Sequence, residues 1–344
     1  MSTAVRKTNQ VGLQMSDYKG APSTLCAGCG HDAISSQIVR AFFQMSIDPH
    51  RIIKMSGIGC SSKTPAYFLG RSHGFNSVHG RMPSVATGAV VANRSLVCIG
   101  VSGDGDTASI GLGQFCHMLR RNIPMVYVLE NNGVYGLTKG QFSATADRGS
   151  RLKTGTVNEL PPIDMCKLAM EMGCSYVARS FAADPRQLVA LLEGALSHRG
   201  TAVIDVLSPC VTFNDHDGST KSYQWGKEHE ELLHDIDFIP HFEPLPPVDY
   251  ADGQVTDVEL HDGSRIRLRK VDRDYDPRVN SQAFKMLRES REAGEFLTGL
   301  IYINPAVDDF IERLNVVETP LAQLPASLLK PGREALAEAL KDFA

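Results

Sequence analysis

Four short apolar runs punctuate the first two thirds of the chain: "RIIKMS" (51–56), "SLVCIGVS" (95–102), "IPMVYVLE" (123–130) and "TAVIDVLS" (201–208). They are rich in Val and Ile and lack polar–apolar alternation, as expected of strands covered on both faces of a parallel sheet. Between and around them the apolar spacing turns helical, over about 30–46, 83–94, 107–121, 164–174 and 185–198. Strand alternating with helix predicts an α/β fold with a parallel sheet flanked by helices. Ligands in such sheets bind beyond the carboxyl ends of the strands. Each run leads into an unusual loop: "GIGCSSK", "GDGDTASIG", "NNGVYGLTKGQ" and "PCVTFNDHDG". Four such loops at one sheet edge would form one site.

The pattern changes after about residue 240. "TDVELHDGSRIRLRKV" alternates about a central Asp-Gly and predicts a hairpin. "SQAFKMLRESREAGEFL" predicts an amphipathic helix, and "GREALAEALKDF" a second. Pro240, Pro244, Pro246 and Pro247 punctuate the junction. The expected organisation is a main α/β domain over 1–240 and a C-terminal arm over 241–344, packed on the main domain or on a partner.

Composition removes several classes of function. A net charge of −4 provides no basic field for nucleic acid. The most apolar segment, "SVATGAVVANRSLVCIGV", is broken by Asn93 and Arg94, which argues against a membrane span. The first twenty residues lack the apolar core of a signal peptide. The chain is therefore expected in the cytoplasm, where its eight cysteines read as metal ligands or buried thiols rather than disulfides.

Two motifs carry chemistry. Asp104 in "GDGDTASIG" and Asn132 in "ENNGVYG" lie 28 residues apart, enough for strand end, helix and strand. A carboxylate, an amide oxygen and a backbone carbonyl suit a hard cation such as Mg²⁺, which takes its remaining ligands from phosphates and water. Gly103 and Gly105 would let the backbone approach a diphosphate, and a helix starting near Thr107 would offer it free N–H groups. A turn followed by an ordinary Asn-rich loop is the bland alternative. The second motif is thiol-based. Cys26 and Cys29 in "TLCAGCGHD" have company in Cys60 and Cys210, each just past a predicted strand. Four thiolates suit zinc or a [4Fe–4S] cluster, and spacing does not separate them. A thioredoxin-like pair would need neither Cys60 nor Cys210. Cys98, Cys116, Cys166 and Cys174 sit in apolar strand or helix settings and read as buried free thiols.

Taken together, "LCAGCGHD", "GIGCSSK", "VHGRMPS", "GDGDTASIG", "ENNGVYGLTKGQ" and "SPCVTFN" resemble, in family order over about residues 20–230, the β subunits of the 2-oxoacid:ferredoxin oxidoreductases. "SSK" and "LTKGQ" look most like the 2-oxoglutarate enzymes, with pyruvate and branched-chain relatives as the alternatives. The resemblance implies a thiamine-diphosphate-binding fold and CoA-dependent oxidative decarboxylation of 2-oxoglutarate to succinyl-CoA and CO₂, with single electrons passing to ferredoxin. It implies a [4Fe–4S] cluster on Cys26, Cys29, Cys60 and Cys210, and Mg²⁺ on Asp104, Asn132 and the carbonyl of Val134. It implies cofactor contacts from Ile58, Gly59, Cys60, Ser61, His79, Gly103, Gly105, Asp106, Gly136 and Leu137. Lys63 and Lys139 are the cations suited to the carboxylates of a 2-oxoacid, and His79 and Arg81 in "VHGR" to positioning substrate or cofactor. In this family the glutamate that contacts the thiamine pyrimidine comes from the other subunit. None stands in the matched motifs for that task; Glu130 is the last residue before the metal loop. The chain is thus expected to need an α partner, as α₂β₂. A zinc-stabilised, non-catalytic interaction subunit is the competing reading.

Overall fold

A computed structural model describes residues 8–152, 155–212, 245–259, 265–330 and 332–341. Its strands are β1 (Ile52–Ser56), β2 (His73–Asn76), β3 (Val97–Gly103), β4 (Met125–Asn131), β5 (Val134–Tyr135), β6 (Gln141–Phe142), β7 (Tyr176–Phe181), β8 (Thr201–Leu207), β9 (Val255–Glu259), β10 (Arg265–Lys270) and β11 (Phe296–Ile303). Its helices are α1 (Gly30–Gln44), α2 (Met82–Ala92), α3 (Leu112–Arg121), α4 (Met165–Glu171), α5 (Pro185–Ser197), α6 (Asn280–Glu292), α7 (Phe310–Arg313), α8 (Ala326–Leu329) and α9 (Arg333–Lys341). Nine strands form one sheet in the order β2-β1-β3-β4-β8-β7-β11-β10-β9, and β5 and β6 make a small antiparallel pair. From β2 to β7 every neighbouring pair is parallel. The chain moves outward from β1 to β2 and then returns to the other side of β1 as β3, so a crevice opens between β1 and β3.

Both faces are covered, which accounts for the unbroken apolar runs. Ile52, Ile99, Val101, Val126, Val128 and Ile204 pack with Ile34, Ile38 and Phe42 of α1 and Leu188, Leu192 and Ala195 of α5. Alternate residues, among them Ile53, Met55, Tyr127, Leu129 and Val203, pack with residues of α2, α3, α4 and α6. Local signals start the helices. Asp164 accepts from the backbone N–H groups of Cys166 and Lys167 at the start of α4, and Asp184 from that of Gln187 at the start of α5. Pro185 occupies the first position of α5, where its missing N–H costs nothing.

The sequence expectation differs from the structure in four places. β2 is four exposed residues with no apolar run. β7 is interrupted by the charge of Arg179, which hides it from an apolar-run search. The helix predicted over 281–297 stops at Glu292; Gly294 takes φ +72°, and Phe296 and Leu297 begin β11. β11 then runs antiparallel against β7, so the C-terminal segment continues the sheet. β9 and β10 form the expected antiparallel pair, while their Asp-Gly turn, like Pro240 and Pro244, lies outside the described residues. Among the described residues no helix is long and apolar enough to cross a membrane.

Leu297 and Ile301 of β11 share one apolar core with β1, β4 and α4. Ile301→Ala should therefore cost about 2–5 kcal/mol and lower a single melting transition of the whole chain. A separate low-temperature transition that left the main one unmoved would show an independent C-terminal unit.

Candidate active site

Because β1, β2, β3, β4 and β8 are parallel, the loops after them leave the same edge of the sheet. The ladder runs slightly past the strands: Gly57 N–H donates to the Val101 carbonyl (2.9 Å) and Ser208 N–H to that of Asn131 (2.8 Å). This brings together "GIGCSSK", "VHGR", "GDGDTASIG", "NNGVYG" and the start of "SPCVTF"; Phe213 and the rest of that last loop lie outside the described residues.

Asp104 is 1% exposed at the end of β3. Its Oδ2 accepts from Gly133 N–H (2.9 Å), from the Ser143 hydroxyl and from the Thr145 hydroxyl (2.5 Å). Its Oδ1 has one long bond, from Asn132 N–H at 3.4 Å. Asn132 Oδ1 accepts from Val134 N–H (3.1 Å), an Asx turn that curls the loop so that the Val134 carbonyl follows closely. Asp104, Asn132 and Val134 are thus held in one compact turn of hard oxygen donors, a set that fits a Mg²⁺ ion. Asp106 has another job: its carboxylate accepts from Gly80 N–H (2.7 Å) and the Ser102 hydroxyl (3.1 Å), tying the "VHGR" loop to β3. That tie sets His79 and Arg81, both exposed, at the rim.

The glycines divide in function. A side chain at Gly105 would meet the Tyr135 ring at 2.5 Å, so this glycine permits packing of the two loops. Gly103 likewise faces Ser61 at 3.1 Å. Gly59, with φ +100° and open space where a Cβ would be, leaves room for a ligand beside the backbone. After Asp104 the chain makes one wide π-helical turn over Gly105–Ile110, closed by Gly111 N–H on the Asp106 carbonyl (2.8 Å), and only then enters α3. The helix expected near Thr107 is this turn, a feature frequent at functional sites. Gly136 is buried, Ile58 half-buried, and Leu137 and Lys139 are exposed on the same loop edge; Lys139 adopts a left-handed φ of +76°. Lys63 is exposed, three residues beyond Cys60.

None of the eight cysteines is in a disulfide. Cys98, Cys166 and Cys174 are buried away from the rim, and Cys116 is half-buried on α3. Cys26, Cys29, Cys60 and Cys210 are all half-buried. Burial raises the Cys29 thiol well above its ordinary range, with Cys210, Glu130 and Cys60 adding to the effect. Burial likewise pushes Cys60 up to about 11, reinforced by Cys210 and Cys26 and opposed by the Lys63 ammonium. The Thr212 hydroxyl lies 3.5 Å from Cys26 Sγ. Each of the four therefore has another of the set, or its loop, close by. Among the described residues no three His, Cys, Asp or Glu side chains are arranged to hold a single metal ion. Four thiols at one rim are a donor set that fits a [4Fe–4S] cluster, which is held by cysteine thiolates.

Two residues beside the thiols carry no sequence signal. Among the described residues, neither carboxyl oxygen of the fully buried Glu130 has a hydrogen-bond partner. Burial holds its carboxyl well above the ordinary range, and Asp32 adds to this. His31 Nε2 stands 3.7 Å from Glu130 Oε2, and burial takes its imidazole down to about 4. Burial thus disfavours the charged form of both partners and works against an ion pair. His31 Nδ1 and the Ser208 hydroxyl are 2.6 Å apart, which clamps the Cys29 end of α1 to the loop carrying Cys210.

Below the ordinary carboxylate range, folded and unfolded chains both keep the Glu130 proton. As pH rises through it, the unfolded chain releases the proton and the folded chain does not, so stability falls. Glu130→Gln should melt higher than the wild type at neutral pH, with the gap closing towards about pH 4. A difference that does not vary with pH would contradict the buried protonated acid.

Residues 57–206 match the family "Thiamine pyrophosphate enzyme, C-terminal TPP binding domain". The β subunit of a 2-oxoacid:ferredoxin oxidoreductase from a Sulfolobus species is 38% identical over 250 residues, which span 71% of this chain and 79% of that protein. The 2-oxoglutarate oxidoreductase subunit KorB of Mycobacterium tuberculosis is 39% identical over 191 residues, 55% of this chain and 51% of its own length. The solved structure of 2-oxoglutarate:ferredoxin oxidoreductase from Magnetococcus marinus, with 2-oxoglutarate, coenzyme A and succinyl-CoA bound, aligns with a TM-score of 0.72 at 29% identity, covering 99% of both chains.

Proposed function

Because this chain belongs to the family of 2-oxoacid:ferredoxin oxidoreductase β subunits, we propose that it carries thiamine diphosphate, Mg²⁺ and a [4Fe–4S] cluster for CoA-dependent oxidation of 2-oxoglutarate to succinyl-CoA and CO₂, with ferredoxin as electron acceptor. The observation that carries this reading is the shared edge. The hard-oxygen turn at β3 and β4 lies between the thiol loops at β1 and β8. The relatives named for 2-oxoglutarate support that choice of substrate over pyruvate or branched-chain acids.

Asp104, Asn132 and the Val134 carbonyl would hold the Mg²⁺ that anchors the diphosphate. When bound, thiamine diphosphate supplies the electron sink for decarboxylation, and the cluster on Cys26, Cys29, Cys60 and Cys210 supplies one-electron chemistry. Ile58, Gly59, Ser61, Gly103, Gly105, Gly136 and Leu137 would line the cofactor, with Asp106 acting through the loop tie described above. Lys63 and Lys139 put two ammonium groups on exposed loops of the rim, matching the two carboxylates of 2-oxoglutarate; Arg81 and His79 would orient it. Glu130 is fully buried against His31 with the Cys29 and Cys60 thiols near it, surroundings that disfavour its charged form. This supports an α subunit that supplies the activating glutamate, in an α₂β₂ assembly working in the cytoplasm, where thiols stay reduced.

The complex purified anaerobically with its partner should reduce a viologen dye with 2-oxoglutarate and CoA, and kcat/KM for pyruvate should be at least about tenfold lower. A preference for pyruvate would reassign the substrate. Lys63→Ala should raise KM for 2-oxoglutarate much more than for CoA; equal changes would remove Lys63 from keto-acid binding. Asp104→Ala should lose thiamine diphosphate during gel filtration, and full retention would contradict the Mg²⁺ assignment.

A further inference from the structure

A buried polar chain runs from the cation-binding turn to the far side of the parallel strands. The Thr145 hydroxyl lies between Asp104 Oδ2 (2.5 Å) and Asn131 Oδ1 (2.9 Å). Asn131 Nδ2 donates to Asp205 Oδ1 at 3.0 Å. Asp205 Oδ2 accepts from Arg179 Nε at 2.9 Å, and another guanidinium nitrogen of Arg179 donates to Asp164 Oδ1 at 2.6 Å. Asp104, Asn131, Thr145, Arg179 and Asp205 are each at most 5% exposed. The chain thus crosses from β3 through the 143–145 loop to β4, β8 and β7.

Donor and acceptor types set the orientations along it. Arg179 can only donate, so it takes carboxylate oxygens. Asp205 then accepts from Asn131, which turns the Asn131 amide oxygen towards Thr145. Thr145 has a single hydroxyl proton, which goes to the nearer and stronger acceptor, Asp104 Oδ2, while the Asn131 amide oxygen only flanks the hydroxyl. Asp104 Oδ2 also takes Gly133 N–H and the Ser143 hydroxyl, while among the described residues Oδ1 has only the 3.4 Å contact with Asn132 N–H. The two oxygens divide the work. Oδ2 is the anchored one, and Oδ1 is the one left to a cation.

We propose that Thr145, together with Ser143, is a positioning residue that anchors Asp104 Oδ2 and so presents Oδ1 to the divalent cation. The proposal rests on the assignment of Asp104 as a Mg²⁺ ligand. Outer partners of this kind commonly change metal affinity about 10–100-fold when removed.

The test is calorimetric titration of MgCl₂ into the complete complex at saturating thiamine diphosphate, well below its melting temperature. Thr145→Val keeps the shape of the side chain and removes the hydroxyl. It should raise the Mg²⁺ dissociation constant about tenfold or more. Thr145→Ser restores the hydroxyl and should stay close to the wild-type value. Ser143→Ala, which removes the other hydroxyl on Oδ2, should shift the isotherm in the same direction, so the outcome does not hang on one variant folding. Wild-type affinity in either soluble variant, even with a lowered melting temperature, would overturn the proposal. A wild-type complex that binds thiamine diphosphate with no dependence on Mg²⁺ would instead overturn the assignment of Asp104 beneath it.

Discussion

Parallel pairing of β1, β3, β4 and β8 is the constraint on which the site depends. Adjacent parallel strands lie about 4.8 Å apart and end at the same edge. Residues separated by up to 150 positions, Cys60 and Cys210 at the extremes, thereby come to one rim, and the His31–Ser208 contact ties the Cys29 end of α1 to it. An antiparallel sheet would send half of these loops to the opposite edge. Helices on both faces allow the strands to stay parallel, and the apolar alternation between the two cores keeps them in register.

Charge inside this sheet is managed in two contrasting ways. Arg179 is held between Asp164 and Asp205, and each of its contacts is a charge-assisted hydrogen bond with a short donor–acceptor distance. An ion kept in so apolar a place must be paired, because the desolvation penalty is otherwise several kcal/mol. Around Glu130 and His31 burial instead favours the neutral form of each group. The result is a rim whose floor mixes a paired, rigid network under the oxygen-donor turn with a buried acid–imidazole contact under the thiols. Hard and soft donor sets therefore sit side by side on different electrostatic ground.

Much of the fold was legible because buried parallel strands write themselves as Val- and Ile-rich runs. All four such runs correspond to strands, with ends displaced by a residue or two. What escaped lacked that signature. β2 is exposed and β7 carries Arg179 at its centre. β11 follows a helix so closely that only the turn at Gly294 separates them. The site divides the same way. Asp104, Asn132, Cys60 and Cys210 announce themselves by position after strands, and Cys26 and Cys29 by their spacing from each other. Ser143 and Thr145 do not, because a hydroxyl that supports a carboxylate from another loop has no fixed spacing from it. Gly105 was legible as a constrained position, but its neighbour is the Tyr135 ring, a contact that only the folded loops reveal.

The central claim is that the Cys26, Cys29, Cys60 and Cys210 loops gather around an iron–sulfur cluster beside a cofactor turn built on Asp104. Quantification of iron and acid-labile sulfide, with electron paramagnetic resonance after reduction, on anaerobically purified wild type and Cys210→Ser tests it most directly. The account predicts about four iron and four sulfide per chain, a reduced-cluster signal in the wild type, and loss of both in the variant. One zinc per chain with no iron, or an intact cluster in Cys210→Ser, would contradict it.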